Sequence, residues 1–330
     1  AFANFDPHVA LDFHEYRPFR KDFAQLSSFG IANPYDVMFL HTGNLNVPEN
    51  LRYIIDTLFV KNAKKSLDKL SLRHRHYIKS EKYKGEIHFS TGSNTARSSS
   101  NFYALNNGIA TLFEIRGVGI GKTSFKRRIN SGLAVGFSFL KTAYDNSLFI
   151  FDEIARANTY SNDIVLEHKR SVYTDVVKAI DIESNELIDF ETTMHSSKDS
   201  YAISKRDRPL AYIIKQNNFG FIEKLKDIGI DYVEFQKDTV IYSGSYRVIE
   251  FSDNFKVYEK MRMQKVVTFI EYNNNGFSKG DILISMNQKR SNLIAELLEP
   301  EAPNSYVSFG IINTSINSQL PIYRIKNLNN

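Results

Sequence analysis

The 330-residue sequence contains no cysteine, which removes disulfides, thiol nucleophiles and every Cys-ligated metal site together. Any metal would have to be held by His, Asp or Glu. The absence leaves the compartment open. No segment approaches the uninterrupted apolar length of a membrane-spanning helix, so no membrane span is expected. The opening AFANFDPHVALDFHEY has no basic leader followed by an apolar run, so no signal peptide is visible. It enters a strand-like run almost at once, which leads us to expect a processed or truncated product whose natural beginning lies upstream. Charge imbalance is also small: 42 Lys and Arg against 37 Asp and Glu give +5. The densest basic stretch, LRHRHYIKSEKYKGE at 72–86, could meet phosphates, but a solvated loop after a helix explains it as well. No nucleic-acid partner is expected.

A nucleotide loop is missing too, although EIRGVGIGKT at 114–123 invites one. A Walker A loop needs Gly, four residues, then Gly-Lys-Ser/Thr, because the intervening amides wrap the phosphates. Counting back from Gly121, Lys122 and Thr123, the first glycine would fall on Arg116. Glycines at 117, 119 and 121 give G-x-G-x-G and not the dinucleotide pattern G-x-G-x-x-G. A glycine turn linking a strand to a helix is the simpler reading.

What is present describes a folded chain. Hydrophobic residues make up 42%, with 25 Phe and 18 Tyr, and the length suggests roughly two domains. HVALDFHEY reads as a buried strand. NVPENLRYIIDTLFVKNAKKSLDKL reads as a long amphipathic helix with Asn46 as cap candidate and Pro48 in the first turn. The Ser-rich connection STGSNTARSSSNFYALNNG reads as irregular and long enough to be functional. IATLFEIRG reads as a second strand, and the segment from Thr123 to Asn158 as helix in two pieces. Strand, turn and helix in this order is α/β grammar. Beyond about residue 160 the chain turns to short strands, VVKAIDI, LIDFETTM, SYRVIEF, KVVTFIEY and GDILISM, with one helix, GFIEKLKDIG. The expectation is therefore an α/β part over 1–160 and a mostly β, α+β accessory part over 161–330.

Two strand ends carry chemistry, His14 in LDFHEY and Glu114 in TLFEIRG. Alternation puts Asp12 and His14 on one face near the end of their strand, and ligands of open α/β sheets bind beyond the carboxyl ends of strands. A His beside a carboxylate can ligate a metal while a separate carboxylate acts as base on an activated water. By composition alone, a paired structural role for either residue is the more ordinary reading. His74 and His76 are expected to face solvent, and His8, His41, His88, His168 and His195 have no partner at ligand spacing. Glu299 and Glu301 in LEPEAPNS read as turn features in preference to glycosidase carboxylates.

PHVALDFHEY resembles the strand of the zinc carboxypeptidase family, the carboxypeptidase A-like metallopeptidases, that delivers the last zinc-binding histidine, typically within D-x-H. NNGIATLFEIRGVGIG resembles the strand carrying that family's catalytic glutamate in an E-x-R setting. FSKGDILISMNQKRSNLIAELLEPEAPNSYVSFG, at 277–310, resembles the end of the extra domain in some large bacterial members. The resemblance implies a mixed-sheet α/β peptidase domain, with His14 as third zinc ligand, Glu114 as general base and acid, and Arg116 as its charged neighbour. It places Tyr16 in the substrate cleft, and Arg97 and Tyr103 in a substrate-closing segment. The family's H-x-x-E, which supplies the first two ligands, occurs nowhere in these residues, nor does its carboxylate-binding arginine segment. The resemblance therefore implies the C-terminal part of a longer peptidase acting on a peptide or amide substrate, with zinc in the intact protein and none bound by this chain alone. The upstream part of the same protein would be its partner. The alternative is a noncatalytic binding or scaffold protein that kept the fold without the metal site.

Overall fold

Two apolar runs a hundred residues apart meet side by side in the computed structural model, which describes residues 2–19, 30–84, 86–215, 219–253 and 257–326. Strand β1 (Val9–Tyr16) pairs in parallel with β7 (Ile109–Arg116). On its other side β7 pairs antiparallel with β3 (Val37–Leu40), and β3 in parallel with β4 (His74–His76). The result is a mixed four-stranded sheet, β1-β7-β3-β4. A parallel neighbour requires a crossover, and the chain between β1 and β7 supplies it.

After the short helix α1 (Phe2–Phe5), the amphipathic run after Pro48 forms one long helix, α2. It proceeds from Glu49–Ile54 through a π-helical stretch, Ile55–Val60, into Lys61–Asp68. Its apolar stripe joins the sheet's core: Phe39 packs on Phe113 with centroids 5.7 Å apart, Phe113 on Phe139 at 5.0 Å, and Phe139 on Phe59 at 5.2 Å. All four rings are essentially fully buried, each worth roughly 1.5–3 kcal/mol in apolar burial.

Asn46 does not cap α2. Pro48 holds the cap position without a side-chain bond, and Asn46 instead donates to the Val165 carbonyl at 3.0 Å and accepts from the Val165 amide at 2.8 Å. The Ser-rich connection is also more ordered than its composition suggests, because it contains helix α3 (Ser99–Leu105). Fully buried Asn101 organises it, accepting from the amides of Gly43 and Asn44 and donating to the carbonyls of Ser93 and Thr95. The two expected helical pieces are α4 (Phe125–Asp145) and α5 (Ser147–Asn158).

The remaining strands build two larger sheets. One has the order β2-β8-β9-β6-β5, from β2 (Ile31–Ala32), β5 (Ile78–Tyr83), β6 (Glu86–Thr91), and a long hairpin of β8 (Ile164–Asp181) and β9 (Leu187–Arg206). The basic stretch at 72–86 is thus largely strand, in β4 and β5, and not a loop. Because β8 and β9 extend a sheet begun before residue 100, the sheet runs across the expected boundary near 160. The other sheet is β11-β16-β10-β17-β12-β15, from β10 (Ala211–Ile214), β11 (Val233–Glu234), β12 (Thr239–Ser252), β15 (Lys265–Phe277), β16 (Ile282–Ser285) and β17 (Gln319–Ile325). A small hairpin, β13 (Val257–Tyr258) and β14 (Met261–Arg262), stands apart. Helices α6 (Phe219–Asp227) and α7 (Ser291–Leu298) complete a mixed α/β architecture.

Glu299 and Glu301 follow α7 and belong to a buried network. Glu299 accepts hydrogen bonds from the Tyr212 and Tyr246 hydroxyls at 2.5 and 2.9 Å and pairs with Arg206 at 2.6 Å. Glu301 pairs with the same Arg206 at 2.8 Å and accepts from the Thr268 amide and hydroxyl. Burial pushes both phenols well above the usual tyrosine range. A buried acid needs such partners to stay charged, so the acids act as core fasteners.

Candidate functional site

The β1–β7 register places His14 directly beside Glu114 and Tyr16 beside Arg116. Neighbours in register on a parallel pair point to the same side of the sheet. Asp12, His14, Tyr16, Glu114 and Arg116 therefore share one face, at the carboxyl end of both strands. Met38, the antiparallel partner of Glu114, lies on that face, while Phe13 and Phe113 turn to the helix-covered side.

Alternation along β1 brings the first pair together: Nε2 of His14 lies 3.2 Å from Oδ2 of Asp12, and the imidazole is half exposed. A carboxylate on one ring nitrogen is the arrangement that orients a metal-binding histidine and raises its basicity. Glu114 is half-buried one strand away. Arg116 donates from Nε to the Asn33 carbonyl at 3.1 Å, which anchors the guanidinium beside the pair.

Tyr16 is buried and does not line open space in this chain. Its hydroxyl donates to the Tyr35 carbonyl and sits 3.1 Å from Oδ1 of Asn33. Burial drives the phenol well above its ordinary range, with the Arg116 charge opposing. Arg97 and Tyr103 are not brought to this end of the sheet. Arg97 pairs with Glu259 and lies 4.9 Å from the ring centroids of Tyr258 and Phe309. Tyr103 ends near the opposite, amino end of β7, where its carbonyl accepts from the Gly108 amide at 3.3 Å.

The glycine loop closes the site from behind. The amides of Gly117 and Val118 both donate to the Tyr16 carbonyl, at 3.2 and 3.1 Å, so neither is available to a phosphate. Gly119 and Gly121 have φ of 81° and 75°, the left-handed region in which glycine alone is unstrained. A Cβ on Gly117 would lie 2.3 Å from Cδ of Arg128, whose guanidinium pairs with Glu15 at 3.0 Å. The stretch is a strand-to-helix turn.

Asp36 and Arg127 escaped the sequence-level reading. Arg127, at the start of α4, grips buried Asp36 with two bonds, Nε to Oδ1 at 2.5 Å and Nη2 to Oδ2 at 2.7 Å. That carboxylate also accepts from the Arg73 amide at 2.8 Å, while the Asp36 carbonyl receives the Arg116 amide at 2.9 Å. The carboxylate raises the Arg127 pKa through its direct bond. One residue thus ties helix, sheet end and site together; the only sequence trace of it was the basic pair Arg127–Arg128 opening a helix.

The histidines are more involved than their spacing suggested. His76 is largely buried, His41 wholly so, and their rings meet edge to face at 5.3 Å. Burial lowers His41 to about 4 and His76 to about 3. His88 and His195 share a hydrogen bond of 2.8 Å across neighbouring strands. Among the described residues no three His, Asp or Glu groups converge as a metal site. His14 has the right chemistry and exposure to be one ligand of a shared site.

The chain is similar along almost its full length to fungal carboxypeptidases. It is 29% identical over 334 residues to carboxypeptidase 2 of Trichophyton equinum, 28% over 334 residues to that of Trichophyton tonsurans and 29% over 330 residues to that of Trichophyton rubrum. Each comparison takes in 98% of this chain and 61% of the relative, so the chain spans about three fifths of the length of these relatives. No family model and no solved structure matches it. The carboxypeptidase likeness first seen in three short segments therefore extends over nearly all of the chain. No helix among the described residues is long and apolar enough to cross a membrane.

Proposed function

We propose that this carboxypeptidase-like chain is the C-terminal part of a zinc-dependent metallocarboxypeptidase that hydrolyses peptide or amide bonds. The in-register pairing of His14 with Glu114 at the carboxyl ends of β1 and β7 carries the proposal. His14, oriented by Asp12, would be one of the ligands that hold zinc, and the remaining ligands would come from outside this chain. Zinc, when bound, supplies Lewis-acid polarisation of the scissile carbonyl and activation of water. Glu114 takes the proton of the attacking water and returns it to the leaving amine. Arg116, held by Asn33, contributes fixed positive charge beside the developing oxyanion. Tyr16 and the glycine turn keep the ends of β1 and β7 together. Arg97 and Tyr103 have a place in the reaction only if the Ser-rich segment moves toward the substrate.

The partner in this reading is the upstream part of the same protein, and an unfinished surface supports it. Among the described residues β1 pairs only with β7, leaving its outer edge open, and Phe13 is 46% exposed. On α4, Val135 and Phe139 are buried, yet Ile129, Leu133, Phe137, Leu140 and Tyr144 are all exposed. A helix apolar on both sides is ordinarily covered on both.

Glu114→Gln, made in a protein extended upstream, tests the assignment. It should lower hydrolysis by about 10²–10⁴-fold, the usual worth of a positioned acid or base, and leave zinc content unchanged. Undiminished turnover would reject Glu114 as the base. The second reading, a binding or scaffold protein without the metal site, draws on the absence of H-x-x-E from this sequence; it predicts no zinc in the extended protein.

A further inference from the structure

The sheet β2-β8-β9-β6-β5 joins two hairpins, β5–β6 and β8–β9, along one short parallel seam. Phe89, Ser90 and Thr91 of β6 pair there with Met194, His195 and Ser196 of β9, whereas β8 and β9 pair along most of their length. With so few ladder bonds, the seam depends on its side chains. Phe89 and Met194 are buried on one side, so alternation turns His88 and His195 to the opposite face.

The two imidazoles meet on that face. Nδ1 of His88 lies 2.8 Å from Nε2 of His195. The ring centroids are 5.1 Å apart and the interplanar angle is 24°, so the rings lie end to end with one nitrogen of each facing the other. The outer nitrogen of His88, Nε2, is 3.2 Å from Oε2 of Glu86. A carboxylate there keeps the His88 proton on Nε2 and leaves Nδ1 with a bare lone pair. The proton between the rings then belongs to Nε2 of His195. Tyr83 covers the pair, its ring centroid 5.2 Å from each imidazole.

A carboxylate on the far nitrogen of a histidine orients a metal ligand and raises its basicity. The separation agrees with that chemistry. Two metal–nitrogen bonds of about 2.0 Å that meet at roughly 90–110° hold their nitrogens roughly 2.8–3.3 Å apart, and His88 and His195 already stand within that range. To aim both lone pairs at one cation, the His195 ring has to turn about its terminal torsion, which is broad for histidine. Its proton passes from Nε2 to Nδ1, so a neutral pair binds the ion without net proton release. Imidazole suits the later divalent transition metals, and Cu²⁺ is held most tightly by nitrogen sites of a given geometry. No three His, Asp or Glu groups converge among the described residues, so water would complete the coordination shell.

We propose that His88 and His195 bind a divalent transition cation, Cu²⁺ above all, which clamps the seam between the two hairpins. The two ligands are 107 residues apart in sequence, so the bound ion would hold an early and a late part of the chain together. Neither residue belongs to β1 or β7, and the site does not depend on the peptidase reading.

Titration of the 330-residue chain with Cu²⁺, followed by electron paramagnetic resonance and by the thermal midpoint, tests this. The tightest-bound ion should show coupling to two imidazole nitrogens and a Kd of about 10 μM or tighter, and the midpoint should rise. His195→Gln should weaken binding by about tenfold or more and remove the rise, and Glu86→Gln should weaken it about tenfold by releasing the orientation of His88. His74→Gln, at a histidine paired with Asp68, should leave the signal unchanged. His88 is largely buried; should His88→Ala fail to fold, the His195 and Glu86 variants still decide the matter. A spectrum with fewer than two nitrogens, an affinity unchanged in both His195→Gln and Glu86→Gln, or loss of the signal in His74→Gln would overturn the proposal.

Discussion

His14 and Glu114 are a hundred residues apart in sequence and direct neighbours in space, paired in register on parallel strands. Their side chains share a face, and Asp12 lies 3.2 Å from the imidazole. Both positions border solvent, so their chemistry is separable from folding.

That separation gives a first prediction. His14→Ala removes a half-exposed side chain that pairs with Asp12 at the surface, so the unfolding free energy should change by less than about 0.5 kcal/mol. Zinc retention in the upstream-extended protein should fall sharply in the same variant. Denaturant unfolding and elemental analysis of one preparation check both; full zinc occupancy in His14→Ala would remove His14 from the ligand set.

Asp36 is expected to matter for stability far more than its single charge suggests. Asp36→Ala breaks the two-bond grip of Arg127 and strands the Arg73 amide. Arg127 itself is half exposed, so the loss should be about 2 kcal/mol and not the larger value of a fully buried pair. Urea unfolding measures it, and hydrolysis by the extended protein should fall as the sheet end loosens around Arg116.

Arg206→Met should be more damaging. It would leave Glu299, which is fully buried, and Glu301 without their shared cation. Breaking a buried pair from one side typically costs about 3–5 kcal/mol. A double replacement, Arg206→Met with Glu301→Gln, should recover part of the loss; a midpoint unchanged by Arg206→Met alone would show that the network is not stabilising.

Acid should destabilise the fold through His41 and His76. Their folded-state values are lowered to about 4 and about 3, against about 6.5 when unfolded. Between those values the unfolded chain binds protons that the folded chain refuses. The stabilisation from keeping the rings neutral is complete above about pH 6.5 and is lost as pH falls toward 4. Each ring contributes a slope of up to about 1.4 kcal/mol per pH unit. His41→Gln should reduce the slope of stability against pH in that window, and an unaltered slope would mean the pair is hydrated in solution.

The apolar face of α4 yields a prediction about assembly. Phe137→Glu and Leu140→Lys replace side chains 65% and 62% exposed in this chain. They should leave its melting temperature nearly unchanged and improve its solubility. In the extended protein the same pair should lower stability, because the face would then be covered. Equal behaviour in both proteins would mean that no upstream segment covers this face.

Alternation and helical period identified β1, β7, α2, α4, α5 and most later strands, because those signals depend only on near neighbours in sequence. The end positions of His14 and Glu114, and the turn chemistry of Gly117–Gly121, were legible for the same reason. Other features depend on residues that meet only after folding. Asn46 reads locally as a helix cap, yet the Val165 backbone and buried Glu296 compete for its amide and win. The Ser-rich segment has weak helical propensity, but the Asn101 side chain makes five hydrogen bonds that order it. His41 and His76 lie 35 positions apart and share no motif; the path of β3 and β4 brings their rings together. Asp36 and Arg127 are separated by 91 residues, and no periodicity links them. The sequence by itself determined most of the elements and the placing of His14 and Glu114 at two strand ends. Tertiary structure decided the register that joins those ends, the ion pairs that brace them and the meeting of His88 with His195, since each depends on distances set by packing and not by spacing along the chain.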